Sequence, residues 1–507
     1  MTEETAPKPL STVHILVALG VLVVLVAPIL FIDYMPFVDY PNHAARIYIR
    51  ANYDRVSLLQ QTYRSHWQLS PYLAMDLIAV PLAHVMNIYW AARLFLIVLV
   101  LSFCAGCYAL SASIQKGITW IAPIACFLVY DSSMLWGFLN YMFGVSVFML
   151  VLAAWLRWRE TWNPLKVATF VLLSLFCYLC HLIGYMVLGI SIGFVALWDL
   201  WHRRTTLASA ALSILPATLP LALFPLYLSV SGDRIATPNS GLDWSTLRGK
   251  LAAGFVMFRG YHTIVDLSMA AAWAALLLFL VIKRRDLWFY KAGVGLGALL
   301  LALFLALPRG LTATGNGDKF DGRFVLPGGL LLLFSICLIS EDRLRRIAIV
   351  AALTLSIFRL SLLTHDWRSL SNRIESASTL FASIPEGARV YPAVYRTAGS
   401  AGSDAEKIDF AFMHVLCYAI IERRIVDPEL FEAGQLLEMR DRPPYSLWSP
   451  GQDLTPLYPY QYVWSYAEPA ELRALLVQST IVIGEREGFT LWKLPAASPP
   501  AHAVSAP

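Results

Sequence analysis

Apolar positions along this chain gather into long runs separated by short polar turns. The runs are Leu10–Ile32 and then residues 91–112, 118–135, 138–156, 166–182, 183–200, 206–229, 266–282, 287–307, 324–340 and 346–363. A helix of about 20 apolar residues crosses the roughly 30 Å of bilayer hydrocarbon, so the pattern predicts a polytopic α-helical membrane protein with about 11 transmembrane helices. Leu10–Ile32 is too long for a signal-peptide core and no small-x-small site follows it, so it reads as a retained first span. Residues 71–89 are apolar but interrupted by Asp76, Pro81 and His84, which predicts a surface-lying or re-entrant helix. Beyond residue 370 charges become frequent and apolar runs short. Arg373–Ala382 and Phe410–Arg423 have helical spacing, and Ala388–Val394, Thr480–Gly484 and Phe489–Leu494 read as strands. Pro443–Trp464, rich in Pro, Tyr and Trp, reads as an irregular loop. The expected division is a membrane domain, 1–369, with a first extracytosolic loop, 33–90; a small C-terminal extracytosolic α/β domain, 370–495; and a disordered tail, 496–507.

Composition agrees. Of 507 residues 58% are hydrophobic and 14% charged, against roughly a quarter charged in soluble domains. The net charge of +5 is spread over the turns and forms no single basic patch, which argues against nucleic acid and leaves the bilayer as partner. Six of the seven cysteines lie in or beside apolar runs and Cys417 is alone, so no disulfide framework is present. Alternate turns carry the Lys and Arg residues, among them Lys116, Arg157, Arg159, Arg203, Arg204, Lys283 and Arg346; the turns near 131–136 and 180–183 carry none. The positive-inside rule then places the N-terminus in the cytoplasm and puts the first loop, residues 230–265 and 308–323, and everything after about 364 on the far face.

The candidate chemistry collects on that face. Just past the first span comes Phe37-Val-Asp39-Tyr-Pro41-Asn-His43-Ala-Ala-Arg46-Ile-Tyr-Ile-Arg50, preceded by Asp33. Pro41 suits the first turn of a helix on which His43, Arg46 and Arg50 share a face, expected to lie flat on the membrane surface. An aspartate there suits a general base toward a hydroxyl, His43 an assistant or ligand, and the arginines phosphate recognition. The plain alternative is a solvated interfacial helix. A second cluster, Arg309, Gly315, Gly317, Lys319 and Arg323, joins glycine-rich backbone to positive charge, which suits an anion. Asn140 and His181 stand at the far-face ends of spans, where a polar side chain is costly, and Arg259 and His262 are the choices in the 230–265 loop.

This layout resembles the GT-C superfamily of integral-membrane glycosyltransferases, through Asp33 and Asp39 after the first helix, the interfacial segment 71–89, the arginine-bearing late loop and the segment after 370. Asp39-Tyr-Pro-Asn-His43, Gly137-Phe-Leu-Asn140-Tyr141 and Gly322-Arg323-Phe resemble segments of poorly characterised bacterial members. The resemblance implies sugar transfer from a polyprenyl-phosphate donor to a lipid or cell-envelope glycan acceptor at a bacterial inner membrane. In that scheme Asp39 or Asp33 is the base, and Arg323 and Arg309 meet the departing phosphate, with Arg46, Lys319, Asn140, His181, Arg259 and His262 as further substrate contacts. Many members show adjacent acids or an Asp-x-Asp pair, whereas Asp33 and Asp39 are six positions apart. That spacing leaves open which acid is the base, and whether Asp39 and His43 hold a divalent cation such as Mg or Mn. The competing function is a non-enzymatic factor for lipid or polymer translocation or envelope assembly.

Overall fold

Among the described residues, six of the expected spans form helices long and apolar enough to cross a bilayer: Thr12–Phe31, Ile88–Gln115, Leu139–Trp158, Leu182–Trp201, Leu207–Pro225 and Arg346–Ser383. The computed structural model describes residues 12–117, 119–225, 242–282, 287–311, 319–338, 342–431 and 436–495. The expected tail 496–507, the turn at 283–286, the first part of the 230–265 loop, and the glycines 315 and 317 lie outside them. Four other runs fold as shorter apolar helices, Ile121–Leu135, Pro164–Cys180, Thr263–Phe279 and Lys291–Ala306, and Ala74–Ala83 forms the expected interrupted helix. The run 324–340 is helical only over Val325–Phe334, after which Ile336–Leu338 pairs antiparallel with Leu287–Phe289. An apolar run bounds where a span can be, but the backbone decides how much of it stays helical.

Contacts divide the chain into two units. One holds Met1–Phe31, Gln68–Ile78 and Arg93–Leu363; the other holds Ile32–Trp67, Ala79–Ala92 and Thr364–Pro507. Most of the first loop therefore shares a unit with the C-terminal segment.

In the first unit, helix Leu139–Trp158 packs on Pro164–Cys180 and Leu182–Trp201. Asn163 opens Pro164–Cys180 by accepting the Lys166 N–H at 2.9 Å, with Pro164 in the first turn. A single extended residue, His181, separates it from Leu182–Trp201. Glycines set the spacing: a Cβ on Gly184 would lie 2.8 Å from the Gly144 carbonyl oxygen, and one on Gly144 would lie 2.7 Å from His181 Cβ. The Gly184 neighbour is backbone, which cannot rotate away. Gly184→Ala is expected to cost about 1–3 kcal/mol by overpacking, read as a lower thermal midpoint in detergent. A midpoint at or above wild type would show that these helices part freely.

The second unit is built on a four-stranded sheet in the order Val390–Val394, Tyr462–Tyr466, Phe489–Lys493, Ile481–Arg486. The first pair is parallel and the others antiparallel. Glu487 and Gly488, both at positive φ, close the hairpin as a two-residue turn. Tyr391, Val463, Trp492, Trp448, Leu457 and Leu472 fill the core. Two expectations are corrected here. Tyr462–Tyr466, expected within a loop, is a central strand buried at all five positions. A strand covered on both faces shows no apolar–polar alternation to find. Phe410–Arg423, expected as one helix, breaks into Asp404–Phe410 and Cys417–Arg423 with turns between them.

Candidate active site

Helix Tyr40–Asn52 begins as expected, with Pro41 in its first turn, but its polar face is not laid on a membrane surface. Eleven of its residues are buried, among them Asn42, His43, Arg46 and Arg50. The C-terminal segment encloses it. Asn42 donates through Nδ2 to the Glu429 carbonyl at 3.1 Å and accepts the Phe431 N–H at 2.9 Å, a two-point clamp on that backbone. Arg50 donates to the carbonyls of His66 (3.2 Å) and Leu436 (2.8 Å), with its guanidinium 4.2 Å from the Trp67 ring centre. Tyr63–Ser65 pairs antiparallel with Leu437–Met439. Helix Cys417–Arg423 packs alongside.

Asp39 stands at the head of this helix. Its backbone carbonyl accepts the His43 N–H at 3.0 Å, yet its carboxylate makes no capping bond. Oδ1 lies 3.7 Å from His414 Nε2, both side chains being largely buried. Phe431 presents its ring nearly edge-on to both His43 and His414, at centroid distances of 6.0 and 5.2 Å. Burial pushes the His414 imidazole down to about 4, so it is neutral near pH 7. Asp33, by contrast, is exposed.

Behind this group lie two buried acids. Asp427 accepts the Cys417 thiol at 3.3 Å and the Glu429 N–H at 2.9 Å; Glu429 meets the Tyr445 hydroxyl at 2.9 Å. Burial lifts Asp427 to about 6, and burial with the neighbouring Asp427 charge lifts Glu429 to about 8. Both folded-state values exceed the ordinary carboxylate range of about 4. Their contribution to stability is therefore complete below that range and is lost as pH rises through about 6 and then about 8. Hydrogen exchange at the Phe431 amide is expected to show protection falling between pH 5 and 9. Constant protection, after correction for intrinsic rate, would mean the two acids do not govern this loop.

The first unit carries a basic and aromatic group of its own. Arg323 sits in a short 3-10 turn, Asp321–Phe324, that leads into helix Val325–Phe334. Its carbonyl accepts the Tyr141 hydroxyl at 2.8 Å, and its guanidinium lies 4.9 Å from the Phe138 ring centre. The Lys319 ammonium stands over Trp136. Lys250 anchors the turn by donating to Asp321 Oδ2 at 2.9 Å and to the Phe304 carbonyl at 2.8 Å. His181 accepts the Ile183 N–H on Nδ1 at 3.1 Å and packs edge-on to Tyr72 and Tyr141. Both ends of the Asn140 amide are committed to backbone, the Met75 N–H and the Tyr72 carbonyl. This ties Ala74–Ala83 to helix Leu139–Trp158. In the same unit Phe127, Met257, Phe258, Trp273, Phe304 and Leu332 line a cavity of about 620 Å³, with Arg359 the one charged residue among the described residues of its wall. Arg359 donates to the carbonyls of Tyr130 (2.9 Å) and Arg259 (3.4 Å).

No family model matches the chain, and no curated protein matches it. Among solved structures it is similar to ArnT from Cupriavidus metallidurans, a crystal structure bound to undecaprenyl phosphate. Identity is 13%, coverage 94% of this chain and 97% of that chain, and the TM-score 0.51. The chain has the ArnT fold. The resemblance read from the first loop and the span pattern is thereby borne out at the level of the fold.

The residues singled out in the sequence fall into separate groups. Asp39, His43 and Arg46 come together in the second unit, and Lys319, Arg323 and His181 lie in the first. Arg309 and Arg259 have exposed side chains. The sequence did not point to His414 or Phe431, and it gave no role to Asn42, inside the first-loop motif, or to Lys250, in the 230–265 loop. The sequence signal for His414 was a lone histidine in an apolar stretch, which most often marks a packed core position. Among the described residues no group of three or more His, Cys, Asp or Glu side chains is gathered to hold a metal ion.

Proposed function

We propose that this protein is a membrane glycosyltransferase that moves a sugar from a polyprenyl-phosphate carrier to a lipid or cell-envelope glycan acceptor. The observation that carries the reading is the fold shared, over nearly the whole of both chains, with a protein solved bound to undecaprenyl phosphate. The apolar cavity supports it, having the chemistry of a groove for an isoprenoid chain. In this reading the Asp39 carboxylate takes the proton of the acceptor hydroxyl as that oxygen attacks the anomeric carbon. The bond from that carbon to the phosphate oxygen breaks, the configuration inverts, and polyprenyl phosphate departs. Within the first unit, Arg323 and Lys319 have the charge to bind an anionic phosphate group. The basic turns support an N-terminus in the cytoplasm of a bacterium and a reaction on the periplasmic face of its inner membrane.

The test is comparative profiling of envelope lipids and glycans in a deletion strain. Loss of one sugar from an acceptor, with build-up of its lipid-linked form, is the expected result. An unchanged set of sugar linkages with altered distribution between membranes would overturn transfer and favour a translocation factor.

A further inference from the structure

The Asp39 carboxylate lies beside a side chain some 375 residues later in the chain. Aspartate at the head of a helix ordinarily turns its carboxylate onto the first-turn N–H groups. Asp39 does not: its backbone is helical (φ −88°, ψ −4°) and it makes no capping bond. Its Oδ1 instead faces His414 Nε2 at 3.7 Å, with side-chain exposures of 15% and 10%. Nδ1 of His414 is buried with no hydrogen-bond partner among the described residues. A neutral imidazole carries one N–H, and that proton belongs on Nε2, where a carboxylate is at hand to accept it. The ring is held in place by Phe431, edge-on at 5.2 Å, and Phe431 is itself clamped by Asn42, three positions after Asp39. The Asp39 helix thus builds the wall that fixes its own partner. At 3.7 Å the contact is longer than a hydrogen bond, as catalytic contacts often are before substrate binds.

We propose that His414 is a positioning residue for Asp39: its Nε2–H anchors Oδ1 and so sets the direction in which Oδ2 meets the acceptor hydroxyl. This rests on the reading of Asp39 as the base. Burial keeps His414 neutral, so it acts as an N–H donor to the carboxylate and not as a counter-ion. Among the described residues, His43 shares the Phe431 ring with it, and Cys417 donates its N–H to the His414 carbonyl, with Asp427 and Glu429 beyond Cys417.

The test uses the purified full chain in vesicles and, as donor, the polyprenyl-lipid fraction extracted from the deletion strain, with transferred sugar followed by mass spectrometry. His414→Phe keeps the ring and its packing but removes the N–H. It is expected to lower the saturating rate roughly tenfold to a hundredfold, with the lipid concentration for half-saturation unchanged within about twofold. Its acid limb should move to higher pH, because losing a donor raises the pKa of the base. His414→Gln, which restores an N–H, should recover most of the rate and the wild-type limb. If Phe and Gln variants behave alike, or the acid limb stays put, the positioning role is overturned and His414 is packing only. Asp39→Asn separates the two levels. A fully active Asp39→Asn sinks the base assignment itself, whereas an inactive one beside a fully active His414→Phe sinks only the inference about His414. Should the Phe variant fail to fold, the Gln variant decides, since a loss of rate as large as that of Asp39→Asn would refute the proposal.

Discussion

Asp39→Asn is expected to reduce sugar transfer by about 10²- to 10⁴-fold, the usual worth of a positioned general base. Asparagine matches aspartate in shape, and since the carboxylate caps nothing, the helix loses no terminal bond by the change. The Asn42 clamp, the Arg50 bonds and the Tyr63–Ser65 pairing do not pass through Asp39, so the fold around it should persist. The loss should therefore fall on the saturating rate, with a thermal midpoint close to wild type. Asp33→Asn serves as the comparison: Asp33 is exposed, and its replacement is expected to leave the rate within about threefold, as for a surface substitution away from the chemistry. If the Asp33 variant is the inactive one, the base has been assigned to the wrong acid.

The second large effect is structural. Lys250 and Asp321 face each other at 2.9 Å with only 4% and 7% of their side chains exposed. Lys250→Met strands a buried carboxylate and two carbonyl oxygens, and breaking such a pair costs about 3–5 kcal/mol. The double variant Lys250→Met, Asp321→Leu removes both charges and is expected to regain most of that stability. Arg323 lies two residues beyond Asp321 in the same 3-10 turn, so the single variant should also need more lipid donor for half-saturation. Thermal midpoints of the two variants and their half-saturation points check this. A double variant no more stable than the single would mean the pair is not the anchor of the turn.

The sequence and the structure agree where the physics is local. Most of the apolar runs, the Pro41 helix start and the Phe489–Leu494 strand depend on residues close in the chain, and each is found where expected. The surroundings of Asp39 depend on residues 414–437, and no periodicity within residues 33–50 announces them. Amphipathic spacing of His43, Arg46 and Arg50 describes a helix face equally well whether water, headgroups or protein covers it. Here protein covers it. Tyr462–Tyr466 was hidden for the opposite reason: burial on both faces erased the alternation that marks a strand.

The Asn42 clamp joins residues 389 apart and the Arg50–Leu436 bond residues 386 apart. Closing so long a loop costs entropy that rises only slowly with length, yet contacts this distant form late. During synthesis the acid-bearing helix therefore waits, without its companions, until the last quarter of the polypeptide has emerged. A ribosome that stops early releases a chain whose Asp39 helix lacks the Asn42 and Arg50 partners. Completion of translation thus becomes a condition for enclosing that helix.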